Sequence, residues 1–166
     1  MKPVREITLE PVDRNNYREL FHMRLRPEQT SFVTAPRWTL ARCYVRQFGD
    51  NFEHLPHLIR AGSEVVGYAT TACDPASDDD YWIDDLMIDA AHQGAGYGRA
   101  AMLAAIEMIA RRYPRCRAVR LTCFRTNTNA AALYSSLGFE PTGGVDPEFG
   151  EPNYILRGQA LAAPRR

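Results

Sequence analysis

The chain has 166 residues, with 20 basic and 20 acidic side chains and no formal net charge. This length suits one domain over residues 1–166, and the balanced charge argues against a nucleic-acid or membrane-surface partner, because no overall positive field is available for phosphates. Four scattered cysteines without a C-x-x-C pair favour reduced thiols in a cytoplasmic protein, and neither they nor the four histidines have the spacing of a metal site, so no metal is predicted.

The segment before residue 50 predicts a short strand and two helices. The strand covers residues 7–9 and stops at Pro11, while Pro27 ends the first helix and Pro36 and Gly49 bound the second. Apolar residues recur at the helical spacing in both helices: Tyr17, Leu20, Phe21 and Leu25 in the first, and Leu40, Cys43, Tyr44 and Phe48 in the second. Charges among the first ten residues predict no secretion signal.

The remaining sequence predicts strands that alternate with two further helices. The expected elements in chain order are a hairpin of strands 57–60 and 65–71, a polar loop over 74–80, a strand over 81–88, a long helix over 96–113, a strand over 118–124, a short helix that Gly138 closes, and strands over 139–142 and 153–156. This order indicates an α/β (α+β) fold.

A glycine-rich segment, residues 92–99, joins the strand over 81–88 to the long helix. Backbone N–H groups in the first helical turn have no intrahelical partners and can bind an anion, and glycine lets a phosphate approach them. A dinucleotide fingerprint fails because Arg99 stands where its third glycine should be, and a P-loop fails because the only lysine is Lys2. A glycine-rich turn without a ligand is the remaining alternative.

Two segments resemble motifs of the GNAT superfamily of acetyltransferases. Residues 93–98 match the pattern [QR]-x-x-G-x-[GA], and residues 127–139 are similar to N-x-x-A-x-x-L-Y-x-x-x-G-F. The resemblance implies a mixed central sheet flanked by helices, acetyl-CoA as co-substrate, and a homodimer formed through the last strands. The residues that it implies for the pyrophosphate loop are Gln93, Gly94, Ala95, Gly96, Tyr97, Gly98 and Arg99.

The same resemblance implies roles for residues near the acetyl group. Backbone groups of Leu86, Met87 and Ile88 are expected along the pantetheine arm, where the Leu86 amide would polarise the acetyl carbonyl. Asn127 would hydrogen-bond the cofactor, and Tyr134 would protonate the departing thiolate. The alternative for Tyr134 is a core aromatic residue on the apolar face of its helix.

An attacking amine arrives mostly as ammonium, so a group must accept its proton. Asp84 and Asp85 are adjacent on a predicted strand, whose successive side chains point to opposite faces unless a bulge turns both. We assign Asp84 as the base, directly or through water, and Asp85 as an amine-binding or structural residue. Both could instead be solvent-facing strand charges.

Residues 82–98 and 32–41 look like the GNAT branch that contains diamine and polyamine acetyltransferases, so the expected substrate is a small polyamine. Asp74 and residues 78–80 could add negative charge for it, or could form a solvated loop. Arg37 departs from the asparagine common in that branch and could favour an anionic substrate. An amino acid, an aminoglycoside-like drug, a peptide N-terminus, or a non-catalytic acyl-CoA-binding module are the alternatives.

Overall fold

A computed structural model describes residues 6–46 and 51–158, and seven strands form one mixed sheet at its centre. The sheet order is β1-β2-β3-β4-β5-β7-β6, and every neighbouring pair is antiparallel except β4 and β5, which are parallel. The strands are β1 (Ile7–Pro11), β2 (Glu53–Ala61), β3 (Glu64–Cys73), β4 (Tyr81–Ile88), β5 (Ala118–Thr122), β6 (Glu140–Val145) and β7 (Pro152–Arg157). The predicted mixed sheet is confirmed, although β2 begins four residues earlier than expected and β5 ends two residues earlier.

Three α-helices flank the sheet: α1 (Pro36–Arg46), α2 (Tyr97–Arg112) and α3 (Thr128–Ser136). The predicted first helix is wrong in type, because that segment forms a 3₁₀ turn over Tyr17–His22. The Arg24 backbone is hydrogen-bonded to residues after β4, so the turn cannot continue as a helix. Its N–H donates to Asp89 Oδ1 at 2.7 Å, and its carbonyl accepts from the Ala90 N–H at 2.8 Å. Phe48 and Gly49, predicted to end the second helix, lie outside the described residues.

Both faces of the central strands are buried. On β2 and β3, adjacent residues enter different apolar clusters: Leu58 and Tyr68 pack with Leu20, whereas Ile59 and Ala69 pack with the start of α2. This explains why β3 reads as a nearly continuous apolar run rather than an alternating one. The sheet is therefore covered by the N-terminal segments on one face and by α2 on the other.

Two irregularities in β4 open the sheet. The parallel pair β4 and β5 is joined at one register position, Trp82 opposite Arg120, and the strands part beyond it. In the pairing with β3, Asp85 lies opposite Thr70 and Ile83 opposite Thr71, so Asp84 is the extra residue of a β-bulge. The bulge and the separation together place the second half of β4 beside an open space.

Candidate active site

A cavity of about 700 Å³ occupies the gap between the diverging strands. Its walls come from β4, from residues 121–124 at the end of β5, from α3, from the segment before α2, and from the loop between β6 and β7. Both of the sequence motifs that resemble the GNAT pattern therefore reach the same cavity.

The glycine segment, which the sequence predicts to bind an anion, forms one end of this cavity. Gly94 and Gly96 have φ values of 80° and 86°, a left-handed conformation that favours glycine, and no atom beyond the two flanking residues lies within 4 Å of a Cβ placed on either glycine. The first intrahelical bond of α2 runs from the Ala100 N–H to the Gly96 carbonyl at 3.2 Å. The Gly98 and Arg99 amides, which precede Ala100 in this turn, thus have no intrahelical acceptors and, with the helix dipole, favour an anion.

Other residues of the segment have structural contacts. Gln93 Nε2 donates to Gln29 Oε1 at 2.8 Å and to the Ile88 carbonyl at 3.0 Å, which fastens the segment to the end of β4. The Tyr97 side chain is buried in the core. Arg99 donates to Ser136 Oγ at 2.8 Å, and neither Arg99 nor Ala95 is on the cavity wall. The sequence thus predicted a segment that reaches the cavity, but it did not separate the residues that line the cavity from those that support the segment.

The second half of β4 offers backbone groups to the cavity. Leu86, Met87 and Ile88 all line it, and the strand edge that faces β5 is unpaired beyond Trp82. The Met87 side chain is buried in the core, so its backbone is what it can present there. Such an edge suits an extended ligand that hydrogen-bonds like a neighbouring strand.

Asn127 and Tyr134 lie on the opposite wall, at the start and in the body of α3. Asn127 is the N-cap of this helix, and its Oδ1 accepts from the Ala130 N–H at 3.3 Å. Tyr134 packs against Phe139 and Tyr154, with ring centroids 6.1 and 6.5 Å apart. Burial raises the pKa of Tyr134, so the phenol stays protonated at neutral pH and can donate a hydrogen bond.

Asp85 is a buried carboxylate on the cavity wall, with 7% of its surface exposed. Its Oδ2 accepts from Arg42 at 2.5 Å, from Thr70 Oγ1 at 3.1 Å and from Thr39 Oγ1 at 3.3 Å. Burial raises the pKa of Asp85, and the Arg42 guanidinium opposes that shift. Because these donors all converge on Oδ2, Oδ1 is the oxygen that Asp85 can offer to a ligand.

Asp84 lines the same cavity in a more open environment. Its Oδ2 lies 4.0 Å from Arg42 and 3.9 Å from Arg46, so two guanidinium groups share one carboxylate. The bulge therefore turns both aspartates toward the cavity, one deep and tightly held, the other shallow and loosely paired.

Three further carboxylates from residues 146–151 complete an acidic end of the cavity: Asp146, Glu148 and Glu151. Glu148 pairs with Arg46 at 3.2 Å, and Glu151 accepts from Thr122 Oγ1 at 2.7 Å. We missed these residues in the sequence, where the run of acids between the last two strands was their only signal. Arg42 and Arg46 were also missed, although their spacing of four puts them on one helix face.

The expected help from residues 74–80 is not found. Asp78 pairs with Arg115 at 3.0 Å and with Arg117 at 3.6 Å, and Asp80 accepts from Ser77 Oγ at 3.0 Å, so these side chains stabilise their own loop. None of the aspartates in this loop is on the cavity wall, because the loop precedes β4 while the cavity follows its second half.

Among the described residues, no helix is long and apolar enough to cross a membrane. In the same ranges, no group of three or more His, Cys, Asp or Glu side chains is arranged to hold a metal ion.

The sequence of this chain is similar to those of known proteins. Residues 14–139 match the sequence profile of the acetyltransferase (GNAT) family. A spermine/spermidine N(1)-acetyltransferase of Bacillus subtilis is 33% identical over 88 residues, which cover 50% of this chain and 57% of that protein. The match thus spans little more than half the length of this curated relative.

Solved structures share the fold at lower identity. A spermidine N-acetyltransferase of Vibrio cholerae, in complex with CoA and spermine, superposes with a TM-score of 0.69 at 16% identity over 95% of this chain and 98% of that one. An aminoglycoside acetyltransferase in complex with coenzyme A gives a TM-score of 0.75 at 19% identity over 97% of this chain and all of that one.

Proposed function

The chain belongs to the acetyltransferase (GNAT) family, and on that premise we propose that it transfers the acetyl group of acetyl-CoA to a primary amine of a small diamine or polyamine. The observation that carries this proposal is one cavity with an anion-binding helix start at one end and five carboxylates at the other: Asp84, Asp85, Asp146, Glu148 and Glu151.

The cofactor end would take the pyrophosphate of acetyl-CoA. Gly94 and Gly96 leave space for it, and the Gly98 and Arg99 amides, which lie in the first turn of α2, would supply donors. The unpaired edge of β4 would bind the pantetheine arm through Leu86, Met87 and Ile88 backbone groups. We expect the contribution of Gln93 and Arg99 to be indirect, through the shape of the segment.

At the acetyl group, the Leu86 amide would stabilise the negative charge that develops on the carbonyl oxygen, as preorganised donors do elsewhere. Tyr134 would donate its proton to the departing thiolate of CoA. Its raised pKa supports this role, because a phenol that is protonated at neutral pH is ready to act as an acid.

The proton of the ammonium group needs an acceptor. Our sequence-based assignment gave this step to Asp84, but the contacts favour Asp85: burial raises its pKa, which makes it a stronger base than an ordinary carboxylate, and its Oδ1 is not held by the donors that hold Oδ2. Asp84, which is paired with two arginines in a more open environment, suits the binding of a substrate ammonium.

The acceptor class follows from the charges at this end. Five carboxylates outnumber the two guanidinium groups of Arg42 and Arg46, so a molecule with several ammonium groups finds several partners. Arg37, which could have favoured an anionic substrate, is exposed and away from the cavity wall. The Bacillus subtilis spermine/spermidine acetyltransferase supports the same class. A cytoplasmic location and a homodimer stay predictions from sequence.

An amine panel tests this function. Purified protein and acetyl-CoA are incubated with spermidine, spermine, putrescine, an aminoglycoside, an amino acid or a short peptide, and release of free CoA thiol is measured. We expect kcat/KM to be highest for a polyamine. Higher turnover of an aminoglycoside, which also has several ammonium groups, would contradict the polyamine assignment while leaving acetyl transfer intact. Binding of acetyl-CoA without turnover of any amine would favour the non-catalytic alternative.

A further inference from the structure

Arg46 joins opposite walls of the acidic end. It is the last described residue of α1, and its guanidinium lies 3.9 Å from Asp84 Oδ2 on β4 and 3.2 Å from Glu148 Oε2 on the loop between β6 and β7. A side-chain cation of this protein therefore occupies the position between two carboxylates that line the cavity.

Arg46 is held more weakly than its neighbour Arg42. The Arg42 side chain contacts the buried Asp85 at 2.5 Å, whereas the Arg46 side chain is 36% exposed and its partner Glu148 is 59% exposed. Exposed ion pairs contribute little to stability because water and salt screen them and because ordering long side chains costs entropy. Arg46 can therefore leave these carboxylates at small cost, and Arg42 cannot.

An alkylammonium group has the charge and the hydrogen-bond donors needed to replace a guanidinium between two carboxylates. We propose that Arg46 is a specificity-determining residue that competes with a second substrate ammonium for Asp84 and Glu148. This inference rests on the proposed function, and it adds that a polyamine must displace the Arg46 guanidinium from the two carboxylates. The ammonium group that reacts would lie beside Asp85 and Tyr134 and does not compete with Arg46. A second ammonium group, farther along the same substrate, competes with Arg46 for the two carboxylates.

The sign of the change in spermidine affinity distinguishes a competing Arg46 from one that attracts the substrate or only stabilises the fold. Removal of the Arg46 charge frees two carboxylates, so Arg46→Gln should bind spermidine about 3- to 10-fold more tightly than wild type, the range expected for one partly screened charge contact. Butylamine shares the aminobutyl chain of spermidine but has one ammonium group. The ratio of the two dissociation constants should therefore move at least about threefold in favour of spermidine.

The experiment is calorimetric titration of spermidine and butylamine into protein saturated with CoA, which cannot transfer an acetyl group. Arg37→Gln is the matched control, because it makes the same charge change on the same helix at an exposed position off the cavity wall. Arg37→Gln should bind spermidine as tightly as wild type does. The double variant with Arg46→Gln and Glu148→Gln should lose the gain in spermidine affinity that Arg46→Gln alone gives. Circular dichroism melting checks that each variant is folded.

Several results would overturn the inference. Weaker spermidine binding by Arg46→Gln, or binding equal to that of Arg37→Gln, would show that Arg46 does not compete with the substrate. An equal gain for butylamine and spermidine would show a general field effect with no second ammonium position. If wild type releases CoA thiol with another amine but neither binds nor acetylates spermidine, the polyamine function fails first, and the inference fails with it.

Discussion

Asp84 and Asp85 are neighbours in sequence but have different surroundings, and the bulge at Asp84 is the reason. Asp85 is buried and held through Oδ2, while Asp84 is shared between Arg42 and Arg46. We therefore expect the two carboxylates to affect different kinetic constants: the proton acceptor affects kcat, and the ammonium partner affects KM.

Substitution by asparagine tests this division of roles. Asp85→Asn should lower kcat for spermidine by about 10²- to 10⁴-fold, the usual range for a general base. Its rate should rise steeply with pH, because more of the amine is then free without an enzymatic base. Asp84→Asn should mainly raise KM. The measurement is a kcat and KM pH profile for each variant, with thermal melting to confirm folding, since Asp85→Asn also leaves Arg42 without its buried partner. The reverse pattern would return the base to Asp84.

Residue-level prediction from sequence found positions on the cavity wall where a motif fixes the position, and the roles of those residues stay predictions. Asp84, Asp85, Asn127 and Tyr134, all chosen from local patterns, lie on one cavity wall or another. It failed for partners that are distant in sequence. Arg46 and Glu148 are 102 positions apart, and no local spacing indicates that they meet.

At the scale of elements, the start of α2 is where sequence and structure agree best. Gly94 and Gly96 have the left-handed backbone that favours glycine, and the helix begins where the motif implies. The first predicted helix is wrong although its apolar spacing is helical, because the Arg24 backbone hydrogen-bonds to the Asp89 side chain and to the Ala90 N–H instead of to its own segment.

Gly96→Asp tests the anion-binding role of this element. The change adds bulk and negative charge beside the proposed pyrophosphate position, so acetyl-CoA affinity should fall at least about tenfold. Gly62→Asp is a matched control, because Gly62 has a similar φ of 63°, has open space around it and lies in the turn between β2 and β3. Both variants carry comparable backbone strain, but the control should bind acetyl-CoA within about twofold of wild type by calorimetry. Equal losses would refute the site.

The whole molecule has no net charge, but its charges are unevenly placed. The sequence total argues against a global field, but it could not show the local excess of carboxylates in the cavity, because the fold brings residues from β4 and the β6–β7 loop together. Charge totals restrict partners only at long range.

We expect the burial of His57 to make the stability of the protein depend on pH. His57 is 3% exposed on β2, and no described residue hydrogen-bonds to its buried Nδ1. Burial lowers the pKa of His57 from 6.5 to about 4. Between these values the unfolded chain binds a proton at this residue and the folded chain does not, so stability falls as pH falls. The contribution is complete above about pH 6.5 and, over roughly 2.5 pH units, amounts to about 3 kcal/mol lost by pH 4.

His57→Gln removes this titration while keeping a polar side chain in the sheet. The carboxylates of the protein also titrate in acid, so the informative quantity is the difference between wild type and variant in the free energy of unfolding, measured by urea denaturation from pH 7.5 to pH 4. Wild type should lose stability more steeply, by up to about 1.4 kcal/mol per pH unit, which is the slope for a difference of one bound proton between the unfolded and folded chains. The same substitution at the exposed His22 serves as the control and should leave the wild-type slope in place. Parallel curves for wild type and His57→Gln would show that His57 is protonated equally in the folded and unfolded chains.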